Sequence, residues 1–286
     1  MTIKKVLVIG AGTMGGGIAQ LCAQQGFDVI LVDVNKELAD KGKAKLAMGM
    51  AGRVEKGKMT YEEMDKVLGK ITTAADLSAA KDADLVIESV VENLDIKKKI
   101  FTGLDKHVKS GTILATNTTS LSISAIAKGT RHPEKVVQMH FFNPPVIMKL
   151  VEIMPGKKTA ADTVKAAEEF AKALGKDPVV CKKEAPAGIV SRALGQLLNE
   201  ATWMVEAGVA DPADIDKAMK LGANLPMGPL ELVDLIGLDV HRAKMQTLRK
   251  VLDDRRYEHP KVVDRMIEEG RLGRKAGKGF YTYEGQ

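Results

Sequence analysis

The run Val6-Leu7-Val8-Ile9 leads directly into Gly10-Ala11-Gly12-Thr13-Met14-Gly15, and no other stretch constrains the fold as strongly. Four successive apolar residues leave no polar face, so as a strand they must be covered on both sides, as inside a parallel sheet. The glycines that follow have separate tasks: a tight turn, close approach of backbone to a pyrophosphate, and close packing of the next helix on the strand. That helix, expected over Thr13 to Gln25, presents N–H groups to an anion at its N-terminus. Gly10, Ala11, Gly12, Thr13, Met14 and Gly15 are therefore the candidate dinucleotide cradle. The next apolar run ends at Asp33, 23 positions after Gly10, close to the roughly 20 expected for an acid on the adenosine ribose. A carboxylate there accepts from ribose hydroxyls and repels a 2′-phosphate, which favours NAD over NADP. The alternative is an aspartate that caps the following helix.

Short β-branched runs alternate with helical stretches as far as about Lys182, the rhythm of a doubly wound, largely parallel sheet. Strands are expected at Lys5 to Ile9, Asp28 to Asp33, Asp84 to Glu88, Thr112 to Thr116, Lys135 to His140, Leu150 to Met154 and Pro178 to Cys181. Lys36 to Gly69 is too long for one crossover helix and reads as a helical hairpin broken near Gly57-Lys58. From His140 to Glu152 the chain passes from strand to strand through Asn143-Pro144-Pro145, a turn-forming sequence. Beyond Ala185 the pattern becomes that of amphipathic helices, at Ile189 to Ala207, Pro212 to Leu221, Pro229 to Ile236, Val240 to Asp253 and His259 to Glu269. Asp211-Pro212 suits an N-cap and first helical residue. The expected fold class is thus α/β: a Rossmann-type doubly wound sheet domain with a helical insertion over residues 1–184, followed by an all-helical domain over residues 185–286. A helical domain of about 100 residues often completes its core by dimerising, so a homodimer is expected.

Composition narrows the partners. Cys22 and Cys181 are the two cysteines and have no C-x-x-C spacing, which argues for a reducing compartment, against disulfides and against a metal site. No stretch approaches the roughly 18 apolar residues that span a bilayer, and glycines interrupt the N-terminal apolar run that a secretory signal would need. A cytoplasmic, soluble protein is expected. The net charge of +6 suits a phosphorylated small molecule or a mildly basic solvated surface. Without aromatic platforms for stacking bases, nucleic acid is not an expected partner.

A second cluster is His140-Phe141-Phe142-Asn143-Pro144, with Glu152 beyond it. His140 falls where a strand should end and Glu152 on its neighbour, and carboxyl ends of strands in an open α/β sheet face the ligand crevice. An imidazole is suited to take a hydroxyl proton while hydride leaves the same carbon, and a nearby carboxylate stabilises the resulting imidazolium. His107, His132, His241 and His259 lack such a partner pattern and are expected on the surface or in caps.

With these pieces in place, the chain resembles the L-3-hydroxyacyl-CoA dehydrogenase family. The resemblance rests on the glycine fingerprint, Val91-Glu92-Asn93-Leu94, Asn117-Thr118-Thr119-Ser120-Leu121, the His140 motif, Lys149-Leu150-Val151-Glu152, Met227-Gly228-Pro229-Leu230-Glu231-Leu232 and the glycine-rich stretch from Gly273 to Tyr281. These occur in family order over nearly the whole chain. The resemblance implies reversible NAD-linked interconversion of an (S)-3-hydroxyacyl-CoA and its 3-ketoacyl-CoA, with 3-hydroxybutyryl-CoA and acetoacetyl-CoA as the expected pair, in fatty acid or butanoate metabolism. It makes His140 the general acid/base and Glu152 its electrostatic partner, while Asn143 orients substrate or nicotinamide. Glu92, Lys97 and Asn117 would lie along the cofactor. Thr119 stands where the family usually carries a serine that touches cofactor and substrate, and Ser191 replaces a substrate-binding asparagine. Gly188 replaces a bulky aromatic, so repacking is expected at the domain junction. Lys56, with Arg53 and Lys58 nearby, either meets the phosphates of coenzyme A or belongs to a solvated basic helix face.

Two other readings stay open: a CoA-independent β-hydroxyacid dehydrogenase, a class that usually relies on a catalytic lysine, and a non-catalytic, crystallin-like dinucleotide-binding protein.

Overall fold

Residues 3–283 are described in the computed structural model; the outermost residues of the two expected domains, 1–2 and 284–286, lie outside the described residues. The N-terminal apolar run forms strand β1 (Lys5–Ile9), buried from Val6 onward, and feeds helix α1 (Thr13–Gln24). Strand β2 (Asp28–Val32) follows, then the helical hairpin α2 (Lys36–Glu55) and α3 (Tyr61–Gly69), then β3 (Ile71–Ala74). Local capping sets the hairpin: Asn35 accepts from the Leu38 N–H to start α2, and Thr60 with Glu63 forms a capping box for α3. Beyond it come β4 (Leu85–Glu88), α4 (Leu94–Leu104), β5 (Ile113–Thr116), α5 (Ile123–Ala127), β6 (Val136–Phe141), β7 (Leu150–Pro155), α6 (Ala161–Ala173) and β8 (Asp177–Val180).

These strands make one eight-stranded sheet in the order β3-β2-β1-β4-β5-β6-β7-β8. Neighbours are parallel from β3 through β6, β6 and β7 are antiparallel, and β7 and β8 are parallel. The unbroken apolar run of β1 is explained by its two covered faces. Val6 and Val8 pack with Ile18, Leu21 and Met50, whereas Leu7 and Ile9 pack with Phe101, Leu104 and Ile126. The strand order reverses between β1 and β4, so the segments leaving the carboxyl ends of β1, β2, β4, β5 and β6 share one edge of the sheet, at a topological switch point. Strand β3 is not among the strands expected from the sequence. Its sequence, Ile-Thr-Thr-Ala, carries one fully buried residue, because an edge strand needs little apolar cover.

The chain divides into two units, Met1–Gly188 and Ile189–Gln286. The second holds α7 (Val190–Glu206), α8 (Pro212–Gly222), α9 (Pro229–Ile236), α10 (Leu238–Leu252) and α11 (Lys261–Glu268), around a core that includes Leu198, Val233, Leu238 and Val263. Asp211 is the N-cap of α8 with Pro212 first inside, although its side chain makes no capping bond. Two buried carboxylates organise this unit. Asp216 accepts from Leu230 N–H, Glu231 N–H and the Tyr281 hydroxyl, and Asp234 from Phe280 N–H, Tyr281 N–H and the Tyr283 hydroxyl. A Cβ at Gly228 or Gly279 would overlap Asp216 or Asp234, so the motifs around both glycines serve the architecture of the unit. Among the described residues no helix is long and apolar enough to cross a membrane.

His241 departs from its expected surface position. It is fully buried in α10, and neither ring nitrogen has a hydrogen-bond partner among the described residues. Burial first, then the charges of Lys244 and His259, push its pKa down to about 4. An unfolded histidine titrates near 6.5, so between these values the unfolded chain binds the extra proton. The contribution is fully present above about pH 6.5 and is lost as pH falls towards 4, a term of order 3 kcal/mol. Trp203, the one tryptophan of the chain, lies in α7 and reports unfolding of this unit. Urea unfolding followed by its fluorescence should show stability falling between about pH 7 and pH 4.5, and a flatter profile for His241→Leu. Parallel profiles for the two proteins would contradict this assignment.

Candidate active site

At the first strand end, the Gly16 N–H donates to the Gly12 carbonyl at 2.8 Å, leaving the amides of Thr13, Met14 and Gly15 ahead of it at the open end of α1. Gly10 sits at φ +100, where a Cβ would strike the Ser89 carbonyl, and a Cβ at Gly15 would overlap the carbonyl of Gly10. At Gly12 a Cβ would meet nothing within 4 Å, so the backbone there is open to a pyrophosphate. Asp33, just past β2, accepts from the Ala11 N–H at 2.7 Å through Oδ2 and from the Val34 N–H at 2.7 Å through Oδ1. Its carboxylate is thereby fixed against the glycine turn, with lone pairs left for hydroxyl donors. These residues fit a dinucleotide.

His140 and Glu152 are directly opposite in the antiparallel β6–β7 pair, so their side chains stand on the same face. His140 Nδ1 lies 3.3 Å from Glu152 Oε2, and Thr119 Oγ1 lies 3.3 Å from His140 Nε2. Both members of the pair are buried, and the Phe142 ring stacks at a tilt, its centroid 4.5 Å from that of the imidazole. Asn143 is exposed on the turn after β6 and is joined to Pro144 by a cis peptide. Asn117 links strand ends: its Oδ1 accepts from the Phe141 N–H at 2.8 Å and its Nδ2 donates to Ser89 Oγ at 3.1 Å.

Beneath the edge lies a chain of carboxylates. Glu92 accepts from the Thr118 hydroxyl at 2.6 Å, the Thr119 N–H at 3.1 Å, and the N–H and hydroxyl of Ser120, both at 2.9 Å. Burial alone would raise its pKa, but the Thr118 and Ser120 hydrogen bonds and the Lys97 ammonium hold it below the ordinary value. Lys97 is buried, bonded to Glu88 Oε1 at 2.6 Å and 3.6 Å from Glu92 Oε2. Glu88 also accepts from the Thr116 hydroxyl at 2.7 Å and the Val90 N–H at 2.7 Å.

Glu88 was not among the candidates, although a charge ending the buried strand Leu85-Val86-Ile87-Glu88 was the available signal. Lys176 was not among them either, and nothing in its sequence neighbourhood marks it. The buried Lys176 donates to the carbonyls of Pro145 at 2.7 Å and Met148 at 2.8 Å, holding the turn that carries Asn143, and burial pushes its pKa down. Other candidates are not gathered here. Arg53 and Lys58 line a surface groove with Gln24, Gln25 and Lys66; Lys56, at the C-cap of α2, is not among its lining residues. Ser191 lies in α7, in the second unit.

Residues 5–185 match the NAD-binding domain model of the 3-hydroxyacyl-CoA dehydrogenases, and residues 189–283 match the C-terminal domain model of the same enzymes. The chain belongs to the 3-hydroxyacyl-CoA dehydrogenase family. A probable 3-hydroxybutyryl-CoA dehydrogenase of Deinococcus radiodurans is 45% identical over 96% of this chain and 99% of its own. The 3-hydroxybutyryl-CoA dehydrogenase of Bradyrhizobium diazoefficiens is 44% identical over 99% of this chain and 96% of its own. The crystal structure of (S)-3-hydroxybutyryl-CoA dehydrogenase from Ralstonia eutropha matches with a TM-score of 0.96 at 39% identity, covering 99% of this chain and 100% of that one. Membership of this NAD-dependent oxidoreductase family makes NAD the cofactor.

Gly188 takes on meaning in this family. It has φ +57, and a Cβ there would overlap the Glu152 carboxylate. On this side the glycine leaves no void; its backbone closes over the carboxylate paired with His140. In Gly188→Ala the left-handed backbone costs roughly 1–2 kcal/mol, and the methyl must displace Glu152. Turnover should fall by about tenfold or more, while NADH affinity, measured by fluorescence, changes little. Undiminished turnover in the folded variant would show that Glu152 yields without consequence.

Proposed function

We propose that the protein catalyses the reversible NAD-linked oxidation of an (S)-3-hydroxyacyl-CoA, with 3-hydroxybutyryl-CoA and acetoacetyl-CoA as its pair. The observation that carries this reading is the position of His140, between Glu152 at Nδ1 and Thr119 at Nε2, both at 3.3 Å. An ionised Glu152 accepts a hydrogen bond from Nδ1–H and so selects the tautomer whose Nε2 is unprotonated and able to accept. During oxidation Nε2 takes the proton of the substrate hydroxyl, and Glu152 stabilises the imidazolium; during reduction Nε2 returns that proton to the carbonyl oxygen. Thr119, beside Nε2, orients the reacting oxygen by hydrogen bonding. When bound, NAD supplies the hydride acceptor, and its reduced form the donor.

Gly10 to Gly15 and Asp33 hold the dinucleotide, and Asn117, Asn143 and Glu92 complete its site. Lys97, paired with Glu88, serves from beneath by fixing Glu88 and Glu92. Residues 1–184 form the cofactor domain, and residues 185–286 the substrate and dimerisation domain, where Ser191 contributes to substrate binding. Lys56 meets a phosphate of coenzyme A. The names of the relatives from Deinococcus, Bradyrhizobium and Ralstonia support the short acyl chain. The protein works as a cytoplasmic homodimer in butanoate or fatty acid metabolism.

Purified protein should consume NADH on addition of acetoacetyl-CoA, with little turnover of free acetoacetate or of NADPH. His140→Gln should lower kcat by about 10²–10⁴-fold with NADH affinity retained. Equal turnover of acetoacetate, or a full kcat in His140→Gln, would overturn the reading. Lys56→Ala should raise KM for acetoacetyl-CoA and weaken its salt dependence without changing KM for NADH. An unaltered KM would place Lys56 on a solvated face.

A further inference from the structure

The loop between β5 and α5 carries Thr119 and is gripped at two points. Glu92 holds Thr118, Thr119 and Ser120. At the far end the holder is Glu184, four residues beyond β8. Its Oε1 accepts from the Ser122 hydroxyl at 2.6 Å and the Ser124 N–H at 3.1 Å, and its Oε2 accepts from the Ser124 hydroxyl. A bond from the Ile123 N–H adds to these. The two serines are themselves committed: Ser122 Oγ accepts from the Ala125 N–H at 3.1 Å, and Ser124 Oγ from the Lys157 N–H at 2.8 Å. On the same side Gly156 lies so close to Ile123 and Ser124 that a Cβ would sit 3.1 Å from Ile123 Cγ2. The loop therefore has no slack at this end.

We infer that Glu184 is a positioning residue for the reaction proposed above: by clamping Ser122 and Ser124 it sets the Thr119 hydroxyl at its distance from His140 Nε2. Glu184 is in the chain that leaves the sheet, over 60 residues from the loop it holds, and it touches none of the reacting groups. Its role needs a carboxylate. Every neighbour that reaches it is a donor, and an ionised carboxylate only accepts. An amide in its place turns an N–H group towards one side, where a serine hydroxyl must reverse and accept, and the bonds that remain are no longer charge-assisted.

The test rests on the same reading of the reaction and is arranged to fail separately from it. With acetoacetyl-CoA and NADH, Glu184→Gln should lower kcat by about tenfold and leave KM for NADH near the wild-type value. Thr119→Ala should cost a similar factor, and the double variant no more than either alone, because both changes remove one arrangement. A purely structural loss of stability would instead multiply with the Thr119 effect. Ser122→Ala combined with Ser124→Ala should reproduce Glu184→Gln, which keeps the test open if the Glu184 variant folds poorly. Hydrogen exchange on the full chain gives a readout that needs no turnover: amides of residues 119–125 should exchange faster in Glu184→Gln than in wild type. Wild-type kcat in Glu184→Gln, independent multiplication of the two effects, or unchanged exchange over 119–125 would each overturn the inference. An inactive wild type would overturn the proposed reaction, and the exchange measurement would still decide the clamp.

Discussion

The active site depends on one reversal in an otherwise largely parallel sheet. Two parallel neighbours need a crossover of a dozen or more residues, but β6 passes to β7 through the short Phe142–Lys149 turn because β7 runs the other way. That pairing puts Glu152 opposite His140 on one face, so the imidazole–carboxylate pair is built into a ladder of backbone hydrogen bonds. Its geometry has the stiffness of a sheet, and the turn between the two strands presents Asn143 at the same edge.

Around that pair, charge is used as a tether. Glu92, Glu184, the Glu88–Lys97 pair and Lys176 each bind segments distant in sequence, through backbone amides and carbonyls as well as serine and threonine hydroxyls. Such groups must be satisfied when they are shielded from water, and a carboxylate can take several N–H donors at once. The arrangement is costly to break: removing one partner of a buried ion pair costs about 3–5 kcal/mol. The second unit uses the same device, with Asp216 and Asp234 collecting amides and tyrosine hydroxyls from its C-terminal stretch.

Legibility followed the range of the interactions involved. The glycine turn, the helical hairpin and the β6–β7 passage were readable because each is encoded within a few residues, by glycines, caps and prolines. Strand β3 was not, since an edge strand with one buried residue has no periodic signature. His241 was misplaced because nothing adjacent to it announces burial; the apolar surroundings come from elements brought together by folding. Lys176 and Glu184 have no local signal in the sequence, their partners lying 28 to 31 and 60 to 62 residues away.

By itself the sequence determined the order and kind of most elements, the glycine turn between β1 and α1, and the family. Hydrophobic period, glycine spacing and motif order are local properties that survive without coordinates. Only the tertiary structure decided which charges are tied to which loops, that Lys97 is consumed by Glu88, that Gly188 closes over Glu152, and that Arg53 and Lys56 do not line the same groove. Those outcomes depend on which atoms are brought within about 3 Å of one another, the reach of a hydrogen bond, and a linear pattern carries no such distance.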